Sequence, residues 1–456
     1  MSNKIFCTSE YISATAPILD INVFWESLLC LLLQLKASRK TRNKENSRAH
    51  INKSEENPMK KLQCSMIWCL LSVLLCISLT GCSSHDFYQY LKQSEESQQV
   101  AKNPSQQEAE KPEIQEKVLE PPKQISMEKY AYQQLGQIEK VIYDEMLSAI
   151  LDQEEAVPLS TTDADVMQKA YKAVCSDYGG LFWVDGYVFT RYTRGEELVS
   201  LEFSPKYTMT KEERREVQAQ IDSIVEAWLT GISINDTDYD KAKYVYELLA
   251  LNTTYVENAE DSQNIISVFL RQETVCQGYA CAVQYLLGQL GIKSAIVSGR
   301  ARGESHAWNL ICLDGEYYYM DATWGNNGYR DKEGNETFFI DYNYMAMTTG
   351  EMQISHEPDA ELRLPECTAV LNNYYIKEGN YIEEWQPELI GGKLAAAWQQ
   401  QQAITLRFSD DSLKEQAFQY FIEEGNIADY CSGIRQINYI EDSLWKEISF
   451  CFNEEE

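Results

Sequence analysis

The sequence predicts an α+β protein, and three observations carry that prediction. After Cys276, apolar residues fall at Ala280, Val283, Leu287 and Leu290, with Leu286 alongside, which is helical spacing; Gly291 stands where a helix C-terminal glycine belongs. Further along, His306–Leu313 and Glu316–Ala322 are strand-like runs joined by Asp314-Gly315, a strong hairpin signal. Ahead of both, helical patterns recur between Tyr130 and Leu251.

In chain order, residues 1–58 come first and offer little to fold. Ile21–Leu35 is apolar but short and interrupted by Glu26, and Ala37–Pro58 is basic, polar and without periodicity. This stretch reads as a disordered upstream extension, with Met59 as the start of the working chain. Met59-Lys60-Lys61 then opens a signal-peptide pattern, with an apolar stretch from Met66 to Leu79 and a small-residue end. That end, Leu79-Thr80-Gly81-Cys82, resembles a bacterial lipobox. The resemblance implies removal of residues 59–81, diacylation of Cys82 and attachment to the extracytoplasmic face of the cell membrane. A plain signal anchor is the alternative, although the apolar stretch has signal length rather than spanning length. Residues 82–126 are rich in Gln, Glu, Lys, Ser and Pro, with no aromatic residue after Tyr90, and read as a flexible tether.

Residues 127–234 read as a helix-rich accessory region. Tyr130–Ile150 and Asp163–Cys175 have helical spacing, and Tyr178-Gly179-Gly180 breaks the chain. Leu181–Tyr192 and Leu198–Phe203 read as strands around a turn at Thr193–Glu196. Lys211–Leu229 is a long helix opened by Thr210 with Glu213 three residues on, a capping box. Tyr239–Leu251 leads into a central domain at 235–365, whose later part holds another strand-like run at Tyr342–Met347. Residues 366–456 form a small α+β appendage, with strand signals at Tyr374–Ile376, Ala403–Phe408 and Ile448–Phe452 and a helix pattern at Ser412–Ile422.

A chain of 456 residues exceeds what one core usually organises, and its formal charge of −30 argues against nucleic-acid binding, since nothing offsets phosphate repulsion. The acidic balance reads as a solubilising surface. An odd set of seven cysteines beyond Cys82 is compatible with one thiol kept free for chemistry.

Chemistry concentrates between Cys276 and Gly325. Cys276 stands at a helix N-terminus, where orphan N–H groups and the macrodipole favour a thiolate and could help hold an oxyanion. A two-residue turn at Asp314-Gly315 pairs Leu313 with Glu316, hence Trp308 with Asp321 and His306 with Thr323. His306 and Asp321 then share a face as diagonal neighbours, about 7–8 Å apart between backbones and bridgeable by side chains. Cys276, His306 and Asp321 are thus a candidate nucleophile, base and orienter. A zinc site from Cys276, Cys281, His306 and Asp321 is a weaker alternative, lacking any C-x-x-C pair. Cys281 and Cys312 read as small hydrophobes, and Trp308 and Trp324 as hairpin packing rather than substrate platforms. His356 reads as a surface or packing histidine before a groove residue. Asp331–Glu336 lacks calcium-loop spacing, and neither a metal nor a cofactor is expected.

The segments Thr274–Ala280 (T-V-C-Q-G-Y-A), Ser305–Asn309 (S-H-A-W-N) and Tyr317–Gly325 (Y-Y-Y-M-D-A-T-W-G) resemble the three catalytic segments of the bacterial transglutaminase-like superfamily, distant relatives of papain-type cysteine proteases. The resemblance runs over residues 240–365. It implies a papain/transglutaminase-like core, with the cysteine-bearing helix packed on an antiparallel sheet. It also implies Cys276 as nucleophile, His306 as general base and acid, Asp321 as orienter and Gln263 as an oxyanion donor. The expected activity is acyl transfer on a peptide or protein amide through a thioester, with hydrolysis favoured over cross-linking and cell-wall peptide among the substrates. The alternative is a catalytically silent peptide- or cell-wall-binding module. Oligomeric state has no signature in the sequence.

Overall fold

The computed structural model describes residues 5–12, 128–330, 336–360 and 362–452. The signal pattern, the lipobox, the tether and most of Asp331–Glu336 lie outside the described residues. Among the described residues no helix is long and apolar enough to cross a membrane.

The first part comprises β1 (Ile5–Ile12), α1 (Tyr130–Gln133), α2 (Gln137–Asp152), β2 (Val157–Pro158), α3 (Ala164–Asp177), β3 (Val184–Arg194), β4 (Glu197–Tyr207) and α4 (Lys211–Trp228). Its antiparallel sheet has the order β1-β3-β4-β2. The strand β1 falls in a stretch expected to lack structure. It pairs with β3 from Ile5 opposite Arg194 to Ile12 opposite Tyr187, filling backbone groups that an edge strand otherwise leaves open. The expected single helix over Tyr130–Ile150 is two helices, because Gly136 starts a new one: its N–H donates to Glu139 Oε2 at 2.6 Å. The capping box of α4 forms as the sequence predicts, with Thr210 N donating to Glu213 Oε2 at 2.8 Å and Glu213 N to Thr210 Oγ1 at 3.3 Å.

Next come α5 (Asp238–Asn252), β5 (Thr254–Tyr255), β6 (Glu273–Thr274), α6 (Cys276–Gln289), β7 (Ser294–Ala301), β8 (Glu304–Leu313), β9 (Glu316–Met320), β10 (Asn326–Arg330), β11 (Glu336–Ile340), α7 (Thr349–Met352) and β12 (His356–Pro358). The antiparallel sheet β12-β7-β8-β9 supports α6, which lies against β7 and β8. Asn309 on β8 ties the two layers, its Nδ2 donating to Ala280 O at 2.9 Å. The Asp314-Gly315 turn takes positive φ at both residues, 54° and 88°, so Leu313 pairs with Glu316 and Asn309 with Met320 as expected.

The accessory part is not a separate layer. One apolar core runs from Tyr130 through Phe203, Leu286 and Trp308 to Met352, and burying each large side chain in it contributes about 1.5–3 kcal/mol. The accessory part comes close to α6 at Gly179, where an added Cβ would lie 2.6 Å from Cys281 O and 2.8 Å from Cys281 Cα. Backbone meets backbone there, so only glycine fits. The Gln284 side chain on α6 fixes this approach, accepting from Gly179 N at 2.9 Å and donating to Asp177 O at 2.7 Å. The glycine pair that breaks the chain therefore also seats the helix carrying Cys276.

The last part contains α8 (Tyr374–Lys377), β13 (Tyr381–Ile382), α9 (Pro387–Gln399), β14 (Ile404–Phe408), α10 (Asp411–Phe418), α11 (Ile427–Tyr430), β15 (Asn438–Asp442) and β16 (Glu447–Cys451). Its mixed sheet, ordered β13-β14-β16-β15, carries a second core that includes Leu394, Leu406, Phe421 and Ile448. Two expected strands are helical turns instead. Tyr374–Lys377 is α8, started by Asn373 accepting from Tyr375 N, and Tyr342–Tyr344 is a 3₁₀ turn started by Asp341 accepting from Asn343 N at 2.9 Å. In both, a local side-chain bond to the backbone outweighs the aromatic β pattern. Buried Arg407 joins this part to the central one, bonding Glu447 at 2.7 Å and Glu351 at 2.8 Å and also reaching Asn343.

Candidate active site

The site forms where the N-terminus of α6 meets the end of the β8–β9 hairpin. Cys276 is the first residue of α6, half-buried, and Val275 before it provides no side-chain cap. The first-turn N–H groups are therefore left to act on the thiol and on whatever it attacks.

His306 lies on β8 opposite Gly299 of β7. Its Nε2 meets Asp321 Oδ2 at 2.8 Å, and the Cys276 side chain is near enough to act on the ring's charge. With Nε2 on the carboxylate, Nδ1 is the nitrogen left for sulfur. The predicted face is thus the observed one, but the pairing stops short of Asp321. β9 ends at Met320, and Asp321 instead opens a 3₁₀ turn over Ala322–Trp324, its Oδ1 accepting from Thr323 N at 3.0 Å. Thr323 is consequently not the cross-strand partner of His306. The backbone of Asp321 is held from the other side, its N–H donating to Tyr344 O at 2.8 Å.

The electrostatics follow from this geometry. Asp321 is fully buried, which opposes its charge, yet the charge and hydrogen bond of His306 and the contact with His356 hold its carboxyl well below the usual range. Burial opposes the charged form of His306 too. The Asp321 carboxylate, its hydrogen bond and the Cys276 contact outweigh that and push the ring up to about 10. At neutral pH the ring is an imidazolium beside the Cys276 side chain. Indoles flank it: Trp324 lies 5.3 Å away and Trp308 6.1 Å away, at 29° and 23° between planes. Trp308 is fully buried, in keeping with a packing role. Cys281 is buried and burial pushes its thiol up to about 12; burial raises half-buried Cys312 as well. Cys175, Cys276, Cys281, Cys312, Cys367, Cys431 and Cys451 are all free thiols.

Gln263 is exposed and makes no contact that fixes a role. Its segment does reach the start of α6, because Ser262 O accepts from Thr274 Oγ1 at 2.9 Å. Sequence reasoning gave His356 a surface or packing role; it is packed, and the reading missed its contact with Asp321. It is buried on β12, and its Nε2 approaches the same Asp321 Oδ2 at 3.1 Å. The one available signal was scarcity, since the chain has four histidines and two of them meet here. His306, Asp321 and His356 bring donor atoms within 4.8 Å of one another, not the cysteine-containing grouping that the sequence offers as a weaker alternative. Each imidazole N–H already has the carboxylate as acceptor, so hydrogen bonding accounts for the arrangement.

Residues 226–322 match the family model of the Transglutaminase-like superfamily, and this part of the chain is a transglutaminase-like domain with an α+β fold. Three solved structures are similar to parts of the chain. A protein described as a TGase is 17% identical over 33% of this chain and 47% of its own, with a TM-score of 0.23. A candidate cysteine protease from Cytophaga hutchinsonii is 15% identical over 30% and 56%, with a TM-score of 0.21. Menin, described with its binding site for the Mixed Lineage Leukemia protein, is 14% identical over 50% and 49%, with a TM-score of 0.22. The matched region spans about half the length of each, and scores this low carry no argument about activity. No curated protein matches the chain.

Proposed function

We propose that the chain is a lipid-anchored, extracytoplasmic cysteine enzyme that transfers acyl groups from peptide or protein amides. The carrying observation is the His306–Asp321 pair at 2.8 Å, with Cys276 against His306 at a helix N-terminus. The Cys276 thiolate attacks the amide carbonyl carbon, and the first-turn N–H groups of α6, with Gln263 as a further candidate donor, receive the oxyanion. His306 gives its proton to the leaving amine as the C–N bond breaks, leaving a thioester on Cys276 and a neutral imidazole. That imidazole then takes a proton from water, which displaces the thiol and releases the acid. Hydrolysis is favoured over transfer to an amine because water is abundant at a cell surface and no amine site stands out among the described residues. Cell-wall peptides and surface proteins both supply such amides.

Iodoacetamide should alkylate Cys276 ahead of Cys281 and Cys312, and His306→Ala should slow that reaction by roughly tenfold or more, since the imidazolium supporting the thiolate is gone. Peptide mapping by mass spectrometry reads both rates. Equal Cys276 rates in the two proteins would mean the residues do not cooperate, and the silent binding module would replace the enzyme. The anchor rests on Leu79–Cys82 and the preceding apolar stretch. Cys82→Ala should block processing or release the protein from membranes on fractionation. A variant still cleaved at the same site and still membrane-bound would sink the lipid anchor.

A further inference from the structure

Asp321 does not serve His306 alone. We propose that His356 is a positioning residue of this site: by donating from Nε2 to the Oδ2 that His306 also uses, it fixes the carboxylate and limits how tightly that oxygen holds the His306 ring. The inference rests on the acyl-transfer reading for its use in catalysis, but the coupling between the two histidines stands on geometry.

The sheet register puts them together. On β7, Gly299 lies opposite His306 and Ala301 lies opposite His356. Residues two apart on a strand share a face, and cross-strand partners share that face as well. Two small residues thus separate two imidazoles on the same side of the sheet, with ring centroids 5.5 Å apart. His356 has little freedom there. Its side chain is fully buried, its Nδ1 lies 2.9 Å from Ser355 Oγ, and Trp324 and Trp308 stand 4.7 and 4.9 Å from its ring. Arg302 N donates to Ser355 O at 3.0 Å, pinning the residue that anchors the ring. A neutral imidazole protonated at Nε2 satisfies both contacts, accepting from the serine hydroxyl and donating to the carboxylate.

The carboxylate therefore accepts three hydrogen bonds: Thr323 N on Oδ1, and two imidazoles on Oδ2. Each donor withdraws charge from the oxygen it faces, so His356 weakens Oδ2 as an acceptor for His306. A histidine chosen for volume alone has no reason to aim a nitrogen at that oxygen. Being fully enclosed, His356 cannot touch a substrate; it acts through Asp321. The other titratable or charged groups around the cluster are Cys276 and Tyr279 of α6, Tyr246 of α5, Tyr344, Tyr255 with Glu304 at the rim, and Arg302, whose guanidinium stacks 4.5 Å over Trp324.

The test is the titration of the His306 ring, followed by NMR of ring-labelled full-length protein, in the wild type, His356→Gln and His356→Phe. Phenylalanine keeps the ring volume without the donor, so His306 should titrate about one pH unit higher. Glutamine places an amide N–H near the lost Nε2 and should keep the wild-type midpoint. Ser355→Ala, which frees Nδ1 but keeps the ring, should move the midpoint upward by less, and it serves if the phenylalanine variant does not fold. Turnover of a peptidyl 4-nitroanilide should fall roughly tenfold in His356→Phe and recover in His356→Gln. An unmoved His306 midpoint in the folded variants, or glutamine behaving like phenylalanine, would overturn the proposal and reduce His356 to packing. The alkylation comparison of wild type with His306→Ala reads the acyl-transfer reading separately, because the midpoint does not depend on Cys276 being a nucleophile.

Discussion

Asp321→Asn should lower turnover of an amide substrate by about 10⁴-fold while leaving Cys276 in place. The size follows from what the carboxylate does. It fixes the proton of His306 on Nε2, leaving Nδ1 to face the thiol, and it holds the ring charged up to about pH 10. An asparagine amide can turn its NH₂ toward His306, so that Nε2 accepts and the proton moves to Nδ1. That tautomer cannot take a proton from sulfur. The imidazolium is lost as well, because with no adjacent charge the buried ring returns toward or below its ordinary pKa of about 6.5. His356 makes the substitution worse, since its Nε2–H also needs the oxygen that asparagine would have to present.

The same change should alter the pH dependence of stability. The folded-state pKa of His306 is raised, so its contribution is full below about pH 6.5 and fades as the pH rises through about 10. The pKa of Asp321 is depressed, so its contribution is present above the ordinary carboxylate range and fades as the pH falls through and below it. These are two descriptions of one interaction. The wild-type advantage in thermal unfolding should therefore be largest near pH 6 and shrink toward pH 10 and above. Calorimetry on both proteins across that range checks the sign, and a variant within tenfold of wild-type turnover would remove Asp321 from its orienting role.

Much of this site is legible in the sequence because its hardest step is local. Asp314-Gly315 sets a two-residue turn, the turn sets the register, and the register puts His306 and the end of β9 on one face. Spacing after Cys276 gives α6, and Thr210 with Glu213 gives the start of α4. What escapes depends on distant chain or on a single side-chain bond. β7 separates the two histidine strands, yet Ser294–Ala301 carries no strong alternation, being buried at all but two positions. His356 is one residue on a three-residue strand, and nothing local says that β7 will carry it to Asp321. Asp321, Asp341 and Asn373 each accept a backbone N–H two residues on and turn a strand-like aromatic run into a helical turn. Such caps compete with β pattern at a single position, where periodicity has no weight.

Asp177→Ala should be the most destabilising change away from the site. Asp177 ends α3, fully buried, and its carboxylate accepts from Ala131 N at 2.9 Å, Tyr132 N at 2.8 Å and the Tyr143 hydroxyl at 3.0 Å. The first two are N–H groups at the start of α1, which has no side-chain cap of its own. Alanine leaves three buried donors without an acceptor, at about 1–3 kcal/mol each, and local relaxation brings the total to about 3–5 kcal/mol. At that size the unfolding midpoint falls by about 10 °C. The effect should depend on pH, because burial pushes the Asp177 carboxyl up to about 6 in spite of its donors. A raised carboxyl favours the fold while protonated, and that contribution is lost as the pH climbs through 6. The penalty of Asp177→Ala should accordingly be greatest near pH 4 and smaller at pH 7, the opposite trend to the one expected from Asp321 over the same range. Because Asp177 O also accepts from Gln284 on α6, the loosened α3 end should speed hydrogen exchange along the back of the cysteine helix. Denaturant unfolding at the two pH values measures the penalty. A loss under about 1 kcal/mol, or one that grows with pH, would mean that water or neighbouring groups satisfy the three donors and that this carboxylate is not what seats α1 behind the site.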